Sequence, residues 1–362
     1  MLNTVINNFD MEVYAILIFC SLTLSILGVF LVLKKVSMVI DAISHSVLLG
    51  IVLVFLLIKR LDSPFLIFGA TFIGILTVYL VEIMGKNPRI KKDAAIGIVF
   101  TFFFAIAIII ISIYIRDVHM DTDAVFLGNI ELTHISALKK IIPILLLNFS
   151  FVFLFYKELK IFIFDSTLAA ILGFSSIIIN YLLMTLISVT AVISFDIVGS
   201  VMTITCIIGP AAIALLLSKK LLNCIFLSLW FSFVSSSLGY FLGIIWDLPI
   251  SGLISVVILV IFLLILFFET KNGIVAKIIK NHFQKKYFMV ISFLMHLNNN
   301  EKDQRSNQIS KLREELQWSL SSYDKCLTKA LKLNYITIKK NQVFLNDTGK
   351  QILAQKTSSW GL

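Results

Sequence analysis

The sequence predicts an all-α polytopic membrane protein with a small α+β domain at its C-terminal end. Three observations predict it. Of the 362 residues, 59% are hydrophobic and only 14% are charged, a composition outside the range of soluble domains. Apolar runs of about 20 residues, the length a helix needs to cross a bilayer, recur along the first three quarters of the chain. After Phe268 that pattern gives way to charged, shorter segments.

Taken in order, the apolar runs cover 13–33, 36–58, 64–84, 94–115, 139–156, 174–195, 197–217, 221–243 and 248–268. They make eight or nine spans, because the pair around Phe195 and Asp196 reads either as two helices or as one helix and a re-entrant segment. The opening "MLNTVINNFDMEVY" is acidic and polar. It lacks the basic start of a signal peptide, so the first run is expected to remain as an anchor.

Orientation follows from Lys and Arg in short loops. One set of loops holds Lys34, Lys35, Lys86, Arg89, Lys91, Lys92, Lys157, Lys160, Lys219 and Lys220, and the opposite set holds only Lys59, Arg60, Arg116, Lys139 and Lys140. The first set is therefore cytoplasmic, and the tail follows the last span to that side. Residues 1–270 carry 15 Lys/Arg against 15 Asp/Glu, whereas residues 271–362 carry 16 against 6, so the whole net charge of +10 lies in the tail. The expected domains are a transmembrane unit at 1–270, a juxtamembrane linker with the first tail helix at 271–300, and a cytoplasmic domain at 301–362. Cys20, Cys206, Cys224 and Cys326 are scattered without a CxxC spacing, which suggests neither a disulfide framework nor a thiolate metal site.

Polar groups inside apolar runs are the candidates for chemistry. "VSMVIDAISHSVLLGIVLVFLL" holds Asp41 and His45 at i and i+4, on one helix face. Counting about 1.5 Å per residue from Lys34 and Lys35 puts His45 near mid-membrane. A charge there costs at least about 2.5–3.5 kcal/mol, so it needs a partner or a water-filled path. A hard carboxylate oxygen beside an imidazole nitrogen suits manganese, zinc or ferrous iron better than cuprous copper. The competing reading is a hydrogen-bonded pair that only packs helices. Asp196 is a second acidic group between apolar runs, and Gly199, Gly209 and Pro210 around it predict broken or closely packed backbone. A simple extracytoplasmic helix cap is its competing reading. Glu82 reads as interfacial, and the extracytoplasmic loop 116–136, acidic and holding His119 and His134, as a solvated or docking surface more than a metal collector.

Two further segments carry organisation. "YKELKIFIFDSTLAAILGF" contains a short helix from Asp165 to Leu172, with Asp as N-cap and Gly173 close behind. A capped, partly apolar helix in a cytoplasmic loop needs something to bury against, which suggests a docking helix for a cytoplasmic subunit. In the tail, an amphipathic helix, "ISKLREEL", "SSYDKCLTKALKLNYI" and "ITIKKNQVFLNDTGKQIL" read as three helices, two strands around a Lys-Asn turn and a closing helix. That is the order of a winged helix.

Together "VSMVIDAISHSVLLGIVLVFLL", "KDAAIGIVFTFFFAIAI", "FDSTLAAILGF" and "SFDIVGSVMTITCIIGPAAIALLLSKK" resemble the ABC-3 family, the permeases of bacterial ATP-binding-cassette importers for manganese, zinc and iron. The resemblance implies a permease fold similar to that of the vitamin B12 importer, in the bacterial cytoplasmic (inner) membrane. It implies a second permease copy or a related permease, a cytoplasmic ABC ATPase and a metal-binding solute-binding protein as partners. No cofactor is expected to be bound permanently; the metal is transported. By resemblance Asp41 and His45 are metal-path residues, Phe164, Asp165, Ala169 and Gly173 belong to an ATPase-coupling helix, and Phe195, Asp196, Val198 and Gly199 match a further family segment. Where the family has Val-Pro-Ala-Ala, this chain has "IGPAA", with the proline retained. No G-x-x-x-x-G-K-[ST] occurs in the sequence, so the chain is not expected to be an enzyme, and ATP hydrolysis is expected in a separate chain. The tail resembles iron-dependent-repressor-type winged helices. Its candidate recognition helix offers Lys325, Lys329 and Lys332 but no Arg, Asn or Gln set for base readout. Nucleic acid binding through the tail is therefore the lesser reading. The alternative function, a membrane-anchored metal-responsive transcription regulator, leaves the capped loop helix without a purpose.

Overall fold

The computed structural model describes residues 9–60, 63, 65–114, 135–269, 273–303, 307–339 and 341–360. The chain divides into two compact units, 1–269 and 270–362. In the first unit the helices are α1 (Met11–Leu33), α2 (Val39–Ile58), α3 (Phe65–Gly85), α4 (Lys92–Tyr114), α5 (Leu138–Leu154), α6 (Tyr156–Phe164), α7 (Ser166–Ile171), α8 (Ser176–Val198), α9 (Ser200–Leu217), α10 (Leu221–Trp246) and α11 (Ile250–Phe268). Nine of the described helices, all but α6 and α7, are long and apolar enough to cross a membrane when α5 is taken with the single 3-10 turn that leads into it. The acidic loop with His119 and His134 falls largely outside the described residues.

Helix α1 is the most enclosed span and α4 the least. α1 packs against α5, α8, α9 and α10, while α2 packs against α3 and α4. Between apolar helices there is little hydrophobic gain in lipid, so close approach and interhelical hydrogen bonds hold the bundle. Along the α1–α10 seam the Ser228 and Ser232 hydroxyls donate to the carbonyls of Ser25 (3.1 Å) and Ser21 (2.9 Å). The Tyr240 hydroxyl closes the same seam at Asp10, donating to its carbonyl at 2.9 Å. Asn148 of α5 donates to Thr190 of α8 at 2.9 Å.

Glycine makes the closest crossing. A Cβ on Gly28 of α1 would lie 1.9 Å from the carbonyl oxygen of Ile207 in α9. The turn between α8 and α9 is a single residue, Gly199, at φ 79°, a region that residues with a Cβ enter only at a cost. The pair around Asp196 is therefore two helices of 23 and 18 residues. α9 runs unbroken through Gly209 and Pro210. Gly209 marks a close contact with Ile258 of α11 instead of a break.

The second unit comprises α12 (Ile274–Lys302), α13 (Ile309–Leu316), α14 (Leu320–Lys332), β1 (Ile336–Lys339), β2 (Gln342–Leu345) and α15 (Asp347–Trp360). β1 and β2 pair antiparallel with Ile336 opposite Leu345, and a single bridge joins Gln308 to Gln342. The core gathers Val290, Phe293, Leu294 and Leu297 of α12 with Leu312, Tyr323, Cys326 and Val343. The first tail helix is thus part of this domain's core. Burial pushes the Cys326 thiol up to about 11, leaving it protonated and unreactive.

The α1–α9 contact yields a direct prediction. Gly28→Ala should lower the melting temperature of the detergent-solubilised protein, with a cost of about 1–3 kcal/mol from overpacking. Gly97→Ala, where an added Cβ meets nothing within 4 Å, should not.

Candidate functional site

α2 begins at Val39, after a turn in which Lys35 takes a left-handed conformation at φ 57°. Asp41 lies in its first turn, where a carboxylate is favoured by the helix dipole. His45 follows one turn on. The next residue, Ser46, accepts a 2.8 Å hydrogen bond from Thr77 near the middle of α3. This tie holds the helix beside α3 at the level of His45, about two turns into α2.

His45 Nε2 and Asp41 Oδ1 are 3.7 Å apart, too far for a hydrogen bond. The His45 ring packs 5.5 Å from that of Phe100 and 5.6 Å from that of Phe104, both on α4. Ala42, Ile43, Ser44, Ser46 and Val47 are buried, while Asp41 and His45 keep 41% and 32% of their side-chain surface open. Those fractions decide the geometry. The Asp41 and His45 side chains lie on a partly open stripe of α2, in line with exposed Leu53 and with exposed Met38 just before the helix. Among the described residues no group of three His, Cys, Asp or Glu side chains comes together. By itself the Asp41–His45 pair offers two candidate donors, short of the four or more a divalent ion takes.

Asp196 does not join them in such a group. It forms a 2.8 Å ion pair with Lys140 of α5, with both side chains about half exposed. Neither residue signalled the other in the sequence, because 56 positions separate them. Glu82 lines a basic cavity at the end of α3 where α4 begins.

The capped loop helix forms as α7. The Asp165 carboxylate accepts from the backbone N–H groups of Thr167 and Leu168, and these bonds with the Thr167 hydroxyl hold its pKa below the usual carboxylate range. Gly173, at φ 84°, ends the helix, with the Phe174 N–H bonded to the Ala169 carbonyl at 3.0 Å. Ala169 is buried, whereas Phe164, Leu168, Ile171 and Leu172 are exposed. Apolar side chains on α7 and on either side of it are thus exposed. α6, the nine-residue helix before α7, had no distinct signal in the sequence because its apolar pattern merges with the end of α5.

Comparison with known proteins follows this geometry. The ABC 3 transport family matches residues 8–269. The zinc transport system membrane protein TroD of Treponema pallidum (strain Nichols) is 37% identical over 89% of this chain and 92% of its own length. That span is too long to fit within the first unit, so TroD carries sequence similar to part of the tail. The manganese transport system membrane protein MntD of Bacillus subtilis (strain 168) is 34% identical over 75% of this chain and 95% of its own. Among solved structures, PsaBC from Streptococcus pneumoniae in complex with Fab matches with a TM-score of 0.64 and 28% identity, over 77% of this chain and 97% of the matched one.

Both side chains of the Lys140–Asp196 pair are about half exposed near span ends, so its coupling should be small. A double-mutant cycle with Lys140→Gln and Asp196→Asn, read by thermal unfolding, should give about 0–1 kcal/mol. A coupling of several kcal/mol would show a desolvated pair.

Proposed function

This chain belongs to the ABC 3 transport family and is a membrane permease subunit of an ATP-binding-cassette importer for divalent metal ions; from that premise we propose that Asp41 and His45 form half of its ion pathway. The observation that carries this reading is their position, on the outward stripe of α2 within a span. A carboxylate left facing hydrocarbon is costly. A second copy, or a related permease, laid against α2 and α4 removes that cost and doubles the donors to two carboxylates and two imidazoles. Such a mixed set suits zinc, manganese or ferrous iron, and TroD and MntD are named for zinc and manganese transport. The ion meets these groups only while partly dehydrated, within the span.

The apolar face of α7 is the proposed seat for a separate cytoplasmic ATPase, with Phe164, Asp165, Ala169 and Gly173 as the residues that shape it. Movement of α7 when the ATPase binds nucleotide would switch access between the two sides. A metal-binding solute-binding protein delivers the ion to the extracytoplasmic loops. The chain lies in the bacterial inner membrane with its tail in the cytoplasm. The tail is read as a docking or regulatory domain, since Lys325, Lys329 and Lys332 share their surface with Asp324.

Metal uptake by cells expressing the chain with its ATPase and binding protein tests the pathway. At equal membrane levels, His45→Ala should reduce uptake at least about 10-fold, the loss expected for removing a ligand of the ion. Unchanged uptake would leave the pair as helix packing alone. For α7, Asp165→Ala should lower metal-stimulated ATP hydrolysis by the assembled complex more than Asp165→Asn, which keeps an acceptor for the cap. The carboxylate cap, whose pKa is lowered in the folded chain, is present above the ordinary carboxylate pKa and lost as pH falls through the lowered value. Its contribution should therefore be constant near neutral pH.

A further inference from the structure

Four of the lysines that set the orientation of the chain also meet around one cavity. Its volume is about 380 Å³, and it opens where α1 and α3 end and where α4 and α8 begin. Lys34 and Lys35 come from the end of α1, Lys86 follows α3, and Lys92 opens α4; Glu82 is the one acidic residue in the lining. Among the described residues none of these four ammonium groups lies within 4.0 Å of a carboxylate. Lys34 instead bonds the Asn180 side chain and lies 5.1 Å from the centroid of the Phe162 ring, and Lys86 lies 5.9 Å from that of Tyr181.

Loop lysines placed for orientation alone need only face water. These converge on a walled space, where mutual repulsion is less screened than in bulk solvent. Burial is the main cause that pulls the Lys34 pKa down, to about 8; Glu82 opposes it, and the nearby Lys92 charge adds a smaller lowering. With one carboxylate among four ammonium groups, the lining keeps an excess of positive charge that an anionic counter-charge can meet.

The chemistry of that counter-charge follows from the lining. Every base is lysine, a compact point charge, and no arginine fork is present to hold a planar carboxylate in bidentate fashion. A tetrahedral phosphate offers acceptor oxygens in several directions at once, which suits ammonium groups arriving from three separate helix ends. The apolar wall residues Leu33 and Ile177 lie at the ends of spans, where a lipid headgroup sits.

We propose that this cavity binds a phosphate-bearing anion, the chemistry shared by an anionic phospholipid headgroup and free phosphate. Phe162, Ile163 and Ser166 contribute to the same wall, and Ser166 is the first residue of α7. The Ser176 hydroxyl also donates to the Ser166 carbonyl at 3.0 Å. Occupancy therefore ties the docking helix to the ends of α1, α3, α4 and α8. The site makes no use of Asp41 or His45, and its test needs neither metal nor transport.

The experiment is native mass spectrometry of the delipidated full chain with phosphatidylglycerol or phosphatidylcholine added, with thermal unfolding in phosphate against chloride at equal ionic strength. Wild type should retain phosphatidylglycerol over phosphatidylcholine. The triple variant Lys35→Gln, Lys86→Gln, Lys92→Gln should lose that retention by about 10-fold or more. Lys219→Gln with Lys220→Gln, which removes charge from another loop, should keep it, and Lys86→Gln alone gives a partial loss if the triple variant proves unstable. Stabilisation by phosphate without lipid retention, lost in the same variants, supports the site with soluble phosphate as its ligand. Equal lipid retention by wild type and both lining variants, with no effect of phosphate on unfolding, overturns the proposal.

Discussion

The rest of the structure depends on one constraint: a polar group inside a span must be covered by protein, because hydrocarbon will not solvate it. Most of the bundle obeys this within one chain. The serines of α10 bond to carbonyls of α1, Asn148 meets Thr190, and Thr77 meets Ser46. Asp41 and His45 obey it less fully. They lie on a partly open stripe near the start of α2, with the His45 ring against Phe100 and Phe104. The demand for cover is what links the fold to the proposed assembly and its ion pathway.

That demand also orders the remaining features. α1, the most enclosed helix, carries small and hydroxyl residues where neighbours approach, so the scaffold behind α2 is tightly packed. α4, the least enclosed, holds the aromatic rings beside His45 and keeps most of its surface exposed. Around α7 the same logic is reversed, because apolar side chains are left bare in a loop between spans. The proposed second permease and ATPase would cover these two surfaces.

Much of this was legible in the sequence, for physical reasons. Bilayer thickness sets run length, so the nine spans appear within a few residues of their bounds, and the Asp165 cap and Gly173 stop mark α7 because each satisfies backbone groups locally. The pair Asp41 and His45 was legible because four residues is one helical turn. What escaped the reading depends on contacts distant in sequence. The Lys140–Asp196 pair joins helices 56 positions apart. Whether "IIGPAA" breaks or merely packs closely is decided by Ile258 on another helix. Likewise Lys34, Lys86 and Lys92 read as orientation signals one by one, and only the bundle brings them to one cavity. The two-residue bridge of Gln308 to β2 is too short to leave any pattern.

The measurement that tests the central account most directly is the metal content of the purified importer. Elemental analysis after equilibration with zinc or manganese should find one tightly held ion per two permease chains, lost when His45 is replaced by alanine in both. One ion per chain, or a content unchanged by that replacement, would contradict a site shared across α2.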